Sequence, residues 1–373
     1  MKLTFEPEAT DGHARTGRVP TPRGVLPTPL FMPVGTKAAV KHLDAADLTA
    51  LDIPLVLGNT YHLMLKPGAD LVADLGGLHG FMAWDGHVLT DSGGYQIFSL
   101  SPKVTDDGAT FRSTYDGSTH HLTPEGAAEV QSKLGADIQM VLDVCPPLPS
   151  ARREVQAAVD RTDAWARRGR AAFLAGAGWR EDRGLHQAQF GIAQGGVDLD
   201  LRVEGAQRTV DVGFDGYAIG GLSVGEPREE MLPALAAALA HLPPDQPRYL
   251  MGVGDPASLV EAVGLGVDLF DCVLPSRHAR HGTVLTGTGR LMIKNLAYER
   301  DDGPLDPDCS CPVCARWSRA YLRHLFRVGE PTGARLLTIH NVVWLSNLVV
   351  GLRAAIAEGR FEAARRAVLD VWG

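Results

Sequence analysis

The feature that most constrains this chain is a series of short apolar runs, each bounded at its end by Gly, Asn or Asp. They are FMPVGT (31 to 36), PLVLGNT (54 to 60), HVLTDSGG (87 to 94), DIQMVLDV (137 to 144), QFGIAQGG (189 to 196), GYAIGGLS (216 to 223), RYLMGVGD (248 to 255) and LFDCVLPS (269 to 276). Between them lie stretches of helical character, such as TPEGAAEVQSKLG from 123, ARREVQAAVDRTDAWARRGRAAFLAG from 151 and EPREEMLPALAAALAHL from 226. Strands alternating with helices demand a parallel sheet. Eight of them predict a closed (β/α)8 TIM barrel with a packed interior of branched residues. An open doubly wound sheet would favour a G-x-G-x-x-G or Walker loop after an early strand, and neither is present. Residues 100 to 122 and 281 to 294, with the turn sequences YDGST and TGTGR, read as antiparallel hairpins inserted into the barrel. Residues 295 to 340 form a second insertion before closing helices at 341 to 352 and 360 to 371. No low-complexity linker divides the chain, so residues 1–373 are expected to form a single catalytic barrel domain.

With 45% hydrophobic and 21% charged residues, the 373-residue chain has the composition of an ordinary globular protein. No apolar run reaches the roughly 20 residues of a membrane span. The opening MKLTFEPEATDGHARTG lacks the apolar core of a signal peptide. The expected compartment is therefore the cytosol, with no membrane partner. A net charge of -8 argues against indiscriminate binding to nucleic acid, but the charge is uneven. Residues 1 to 271 carry 22 Lys and Arg against 35 Asp and Glu, whereas residues 272 to 340 carry 10 against 6. A basic segment on an acidic body suits a local phosphate-binding face, or equally a solvated helix surface around Arg316 to Arg327.

Three of the five cysteines crowd together as Cys309-x-Cys311-x-x-Cys314, and His340 follows. Three thiolates and an imidazole can close a tetrahedron around Zn2+, leaving no position for water, which is the pattern of a structural site. His324 is the other candidate for the fourth ligand. A disulfide with one free thiol is the competing reading, disfavoured in a reducing compartment.

Barrel enzymes place their chemistry at the C-terminal ends of the strands. The polar or small residues that end the apolar runs here are Asn59, Asp91, Asp143, Gln194, Gly220, Gly221, Met251, Gly252 and Asp271. Any one aspartate reads equally as an N-cap or loop carboxylate. Three directed at one pocket suit two-carboxylate chemistry at an anomeric carbon, or recognition of a hydrogen-bond donor. A catalytic metal would ask for several histidines at strand ends. His62, His79, His87 and His186 form no H-x-H or H-E-x-x-H pair and read as surface or packing residues.

The segments TDSGGYQIFSL at 90, QMVLDVCPP at 139, GIAQGG at 191, GYAIGGLSVGE at 216, YLMGVGDP at 249, DLFDCVLPSRHARHG at 268 and CSCPVCARW at 309 closely resemble the bacterial-type tRNA-guanine transglycosylases, in order and over essentially the whole chain. The resemblance implies exchange of guanine at the wobble position (34) of tRNAs with guanine-first anticodons for a 7-deazaguanine. It implies Asp271 as nucleophile and Asp91 as proton acceptor and general acid/base. It further implies a base pocket of Asp91, Ser92, Tyr95, Asp143, Cys145, Gln194, Gly220, Gly221, Leu222 and Met251. In that pocket Asp143 takes the purine N–H donors, Gln194 and the Gly221 N–H take its oxygen, and Tyr95 and Met251 enclose the ring. Without the resemblance, those last two read equally as core fillers. Ser276, Arg277 and Arg280 match positions that hold the anticodon. Cys309, Cys311, Cys314 and His340 match the zinc ligands, one ion per subunit.

Cys145 and Val224 match the bacterial pattern associated with 7-aminomethyl-7-deazaguanine (preQ1), where eukaryotic relatives carry Val and Gly to admit queuine. The family implies a homodimer in queuosine biosynthesis. Archaeal relatives carry long C-terminal RNA-binding extensions, whereas this chain ends soon after its last barrel helix. Two alternatives stand beside this reading: a non-catalytic tRNA-binding relative and a glycosyltransferase acting on free nucleosides. The first is expected to have lost Asp91, Asp143 and Asp271. The second has little use for a basic zinc subdomain.

Overall fold

A computed structural model describes residues 2–373. The eight apolar runs form the strands of one closed parallel barrel: β1 (Leu30–Gly35), β2 (Leu55–Gly58), β3 (His87–Thr90), β4 (Ile138–Met140), β5 (Ala188–Ala193), β6 (Gly216–Ile219), β7 (Arg248–Leu250) and β8 (Leu269–Cys272). Closure is made by β8 pairing with β1, with Asp271 beside Met32. Phe31, Met32, Phe190, Tyr249 and Phe270 on these strands are each almost fully buried. Strand β4 is short for a legible reason. Its pairing with β3 ends where the Met140 N–H goes to the buried Gln131 side chain; the Val141 N–H still reaches the Phe190 carbonyl of β5, and the Val144 N–H goes to Thr162.

The three helices read from the sequence are present as Pro124–Leu134, Arg152–Ala175 and Arg228–Leu239. Caps explain several boundaries: Thr123 accepts from the Gly126 N–H with Pro124 at the first helical position, and Gly135 closes that helix in the left-handed conformation. The insertion at 100 to 122 is a three-stranded antiparallel sheet (Lys103–Val104, Ala109–Arg112, Thr119–Leu122), and that at 281 to 294 is a hairpin (Thr283–Thr286, Gly289–Met292).

Two features depart from the sequence reading. The helix expected at 341 to 352 runs from Pro331 to Ala357, so His340 lies inside the closing helix, not at the edge of the insertion. Glu330 caps its start and Pro331 occupies its first turn, a signal the sequence carried. An unanticipated antiparallel sheet (Glu6–Asp11, Ala14–Thr21, Gly24–Thr28) also covers the N-terminal mouth of the barrel. It is anchored by the buried Arg15, which donates to both oxygens of Asp268 at 2.9 and 2.5 Å, just before β8. The mouth at the opposite end is left for chemistry. The Pro331–Ala357 helix is long and apolar enough to cross a membrane, but half of its most apolar stretch is buried within the protein.

Candidate active site and metal centre

Each aspartate singled out at a strand end is held in a fixed orientation by its neighbours. Asp91 follows β3. Its Oδ1 accepts the Thr60 N–H at 2.9 Å and the Gly93 N–H at 3.0 Å, and its Oδ2 accepts the Asn59 side-chain amide at 2.6 Å. Asn59, which also caps the helix after β2, thereby acquires a partner that spacing alone did not assign. Asp143 follows β4 and accepts from Ser92 Oγ at 3.2 Å and from Gln194 Nε2 at 2.6 Å. Asp271, within β8, accepts on one oxygen from both the Tyr249 hydroxyl at 2.5 Å and the Gly252 N–H at 2.7 Å.

These carboxyls share a low-dielectric mouth. Burial pushes Asp91 up to about 7, opposed by the Thr60 and Gly93 amides and helped by the charges of Asp271 and Asp143. Burial raises Asp143 to about 6 despite Gln194 and Ser92. Asp271 is raised in the same way, held back by Tyr249 and Gly252. One carboxyl is thus poised between acid and base near neutral pH, which is the property acid–base work requires.

The wall around them is made of small residues for a steric reason. A Cβ on Gly221, whose φ is +65°, would lie 2.2 Å from Gln194 Oε1, and one on Gly220 would lie 2.7 Å from Ile192. Leu222 is buried beside them, and Cys145 is half-buried with its thiol pushed up to about 12 by burial. Tyr95 is 60% exposed, which excludes the core-filler reading, and Met251 is partly buried. Glu226 fixes the next turn by accepting the Ser223 and Val224 N–H groups. A cavity of about 430 Å³ lies to one side, against Leu148, Val155, Val197 and Glu226, and does not include the aspartates.

The helix Leu274–His281 follows Asp271 and places Arg277 and Arg280 at the surface. Ser276 differs from them: it is buried, and its hydroxyl donates to the Val273 carbonyl. Tyr249, which holds Asp271, was not legible as part of the site, nor was the buried Arg202, whose guanidinium donates to the carbonyls of Ala193, Gly196, Gly220 and Gly221. A tyrosine inside an apolar run reads as core, and an arginine in a helical stretch reads as surface.

Cys309, Cys311, Cys314 and His340 converge, their ligand atoms all within 4.8 Å of one another. The three sulfurs lie 3.8, 3.4 and 3.3 Å from His340 Nδ1. A tetrahedral ion with ordinary sulfur and nitrogen bond lengths sets such edges at about 3.5 Å. His340 Nε2 lies 2.8 Å from the Leu285 carbonyl, a bond that leaves Nδ1 bare toward the sulfurs. His324, the alternative ligand, is not in the group. The adjacent Asn341 bonds Leu285 N–H and the carbonyls of Pro275 and Thr283. The metal group is therefore tied through one helix turn to the segment that carries Arg277.

The family model described as queuine tRNA-ribosyltransferase matches residues 10–373. The chain belongs to that family. Queuine tRNA-ribosyltransferases similar to it include that of Desulforudis audaxviator, 51% identical over 99% of this chain and 98% of the relative. Those of Novosphingobium aromaticivorans (52%, covering 97% of this chain and 96% of the relative) and Herpetosiphon aurantiacus (50%, covering 99% and 92%) are alike in extent.

Proposed function

We propose that this chain is a tRNA-guanine transglycosylase of queuosine biosynthesis, which replaces the wobble guanine of tRNAs with guanine-first anticodons by preQ1. The observation that carries this reading is three carboxyls at one barrel mouth, Asp143 and Asp271 buried and Asp91 half-buried, in a chain whose relatives are queuine tRNA-ribosyltransferases over their whole length.

Guanine offers N1–H and N2–H donors next to its O6 acceptor. Asp143, with Gln194 Nε2 beside its carboxylate, presents the complementary edge: acceptors for the two donors, then an N–H for the oxygen, joined by the Gly221 N–H. Tyr95 and Met251 enclose the faces of the flipped ring. A free Asp271 oxygen attacks C1′ of the ribose, and the C1′–N9 bond breaks with its electron pair leaving on guanine. Asp91 supplies the proton the departing base takes up. The incoming base then gives a proton back to Asp91, and its N9 displaces Asp271, so two inversions give retention. Tyr249 and Gly252 hold the spectator oxygen of the nucleophile.

Arg277 and Arg280 are proposed as anticodon contacts, and Ser276 as a support of their helix. The donor set of three thiolates and one imidazole fits Zn2+ in a closed, structural site, one per subunit. A single catalytic domain, carrying 295 to 340 as an insertion, is the organisation proposed, in the cytosol and as a homodimer. Exposed Leu296, Tyr321 and Val328 on touching elements of that insertion support association.

The reading is tested by incorporation of labelled guanine into a tRNA with a guanine-first anticodon. Incorporation is expected there and not into the same tRNA with adenine at that position; equal labelling of both, or of neither, refutes it. Cys145→Val with Val224→Gly is expected to extend use to queuine.

A further inference from the structure

Arg202 stands in the first turn of the helix Leu199–Val212 and is completely buried. Two local costs oppose it there: a cation out of water, and a cation at the positive end of a helix dipole. No carboxylate pairs with it among the described residues; Glu226 and the Cys145 thiol act on it only at longer range. Its partners are main-chain carbonyls. Nε donates to Gly196 at 2.6 Å, Nη1 to Ala193 at 3.0 Å and Gly220 at 2.8 Å, and Nη2 to Gly221 at 2.9 Å. One guanidinium thus grips both turns that build the base wall, those after β5 and after β6.

The grip has an electrostatic consequence. The Gly220 carbonyl and the Gly221 N–H belong to one trans peptide, so they point in opposite directions. Arg202 pulls electron density toward the Gly220 oxygen from behind the wall. The Gly221 N–H faces the other side, where it acts on the Cys145 thiol. A carbonyl engaged by a cation makes the N–H of its own peptide a stronger donor. Gly221, at φ +65°, would otherwise leave this peptide free to turn.

We infer that Arg202 is the positioning residue of the base pocket: it fixes both glycine turns and polarises the Gly220–Gly221 peptide, so that the Gly221 N–H stabilises negative charge gathering on the purine oxygen as the glycosidic bond breaks. This rests on the proposed base exchange at the same site. It predicts that the oxygen itself matters to the rate, and that the dependence runs through Arg202.

The test compares tRNAs carrying guanine or 6-thioguanine at the wobble position as the departing base, the sulfur being a weaker acceptor while N1–H and N2–H remain. Release of that base in exchange for free guanine is measured for the wild type, Arg202→Lys and Arg202→Met, each with metal bound and its melting recorded. The wild type is expected to favour guanine. Arg202→Lys is expected to lose about tenfold in kcat with guanine, less with 6-thioguanine, at an unchanged KM for tRNA. Equal losses for the two bases would show a merely structural residue and overturn the inference. A wild type indifferent to the oxygen overturns it without any variant having to fold. If the wild type exchanges neither base, the functional reading itself has failed, which is a distinguishable result.

Discussion

Replacing Tyr249 by Phe removes a single oxygen from a buried site and leaves the ring packing intact. In the native protein the hydroxyl donates at 2.5 Å to the Asp271 oxygen that also takes the Gly252 N–H. Burial raises the Tyr249 phenol well above its ordinary range, so it remains a donor at every accessible pH. A hydrogen bond to a buried carboxylate is worth about 1.5–3 kcal/mol to the charged form. Its loss should raise the Asp271 carboxyl by about one to two pH units, at 1.36 kcal/mol per unit.

The sign follows from the role. As the proposed nucleophile Asp271 must be ionised, its acidity is already weakened by burial, and losing a donor weakens it further. The acid limb of kcat/KM for guanine exchange should therefore move to higher pH by that amount. Above the limb the variant should recover much of its rate, because the attacking oxygen is untouched and the carboxylate as a whole is the more basic. The assay is exchange of labelled guanine from pH 5 to 9.5. An acid limb in the wild-type position, with a uniform loss at all pH values, would refute the assignment of Tyr249 to the nucleophile.

Three further outcomes are expected. Asp143→Asn should abolish exchange yet stabilise the fold. Asp143 rises from an ordinary 3.8 to about 6, so its stability contribution is intact below about 4 and lost as pH rises through about 6. Thermal melts should show a gain of up to about 3 kcal/mol at pH 8 that vanishes near pH 4; a gain independent of pH would contradict the burial argument. Metal removal by a chelator should lower the melting temperature and also weaken tRNA binding, since His340 and Asn341 join the metal group to the Leu274–His281 helix. Unchanged melting would show that the group is not structural. Arg277→Ala with Arg280→Ala should weaken binding of an anticodon stem-loop and reduce its salt slope by about two, at an unchanged KM for free base. An unaltered slope would remove both from the phosphate contacts.

The barrel was legible because its strands are buried on both faces and read as apolar runs, each broken by Gly, Asn or Asp where a loop begins. The metal group was legible from cysteine spacing, which few other chemistries produce. The N-terminal sheet was not: its strands, such as EPEATD and ARTGRVPT, interrupt the apolar alternation with Pro, Gly and charge, and Arg15 is paired only through Asp268, 253 residues away. Tyr249 and Arg202 escaped for a related reason. Tyr249 meets Asp271 only when β7 and β8 pair, Arg202 meets Gly220 and Gly221 only when β5 and β6 pair, and neither residue type signals a site by itself. The aspartates stood out at the strand ends, but their distinct acidities come from burial and from neighbours such as Thr60, Gln194 and Tyr249, which local sequence does not weigh.

The most direct test of the account is incorporation of labelled preQ1 into a tRNA with a guanine-first anticodon, comparing the wild type with Asp271→Asn. The account predicts incorporation by the wild type, none by the variant, and a covalent enzyme–tRNA adduct only where Asp271 is present. A folded, metal-loaded wild type that incorporates nothing, or an Asp271→Asn protein that exchanges bases at the wild-type rate, would contradict it.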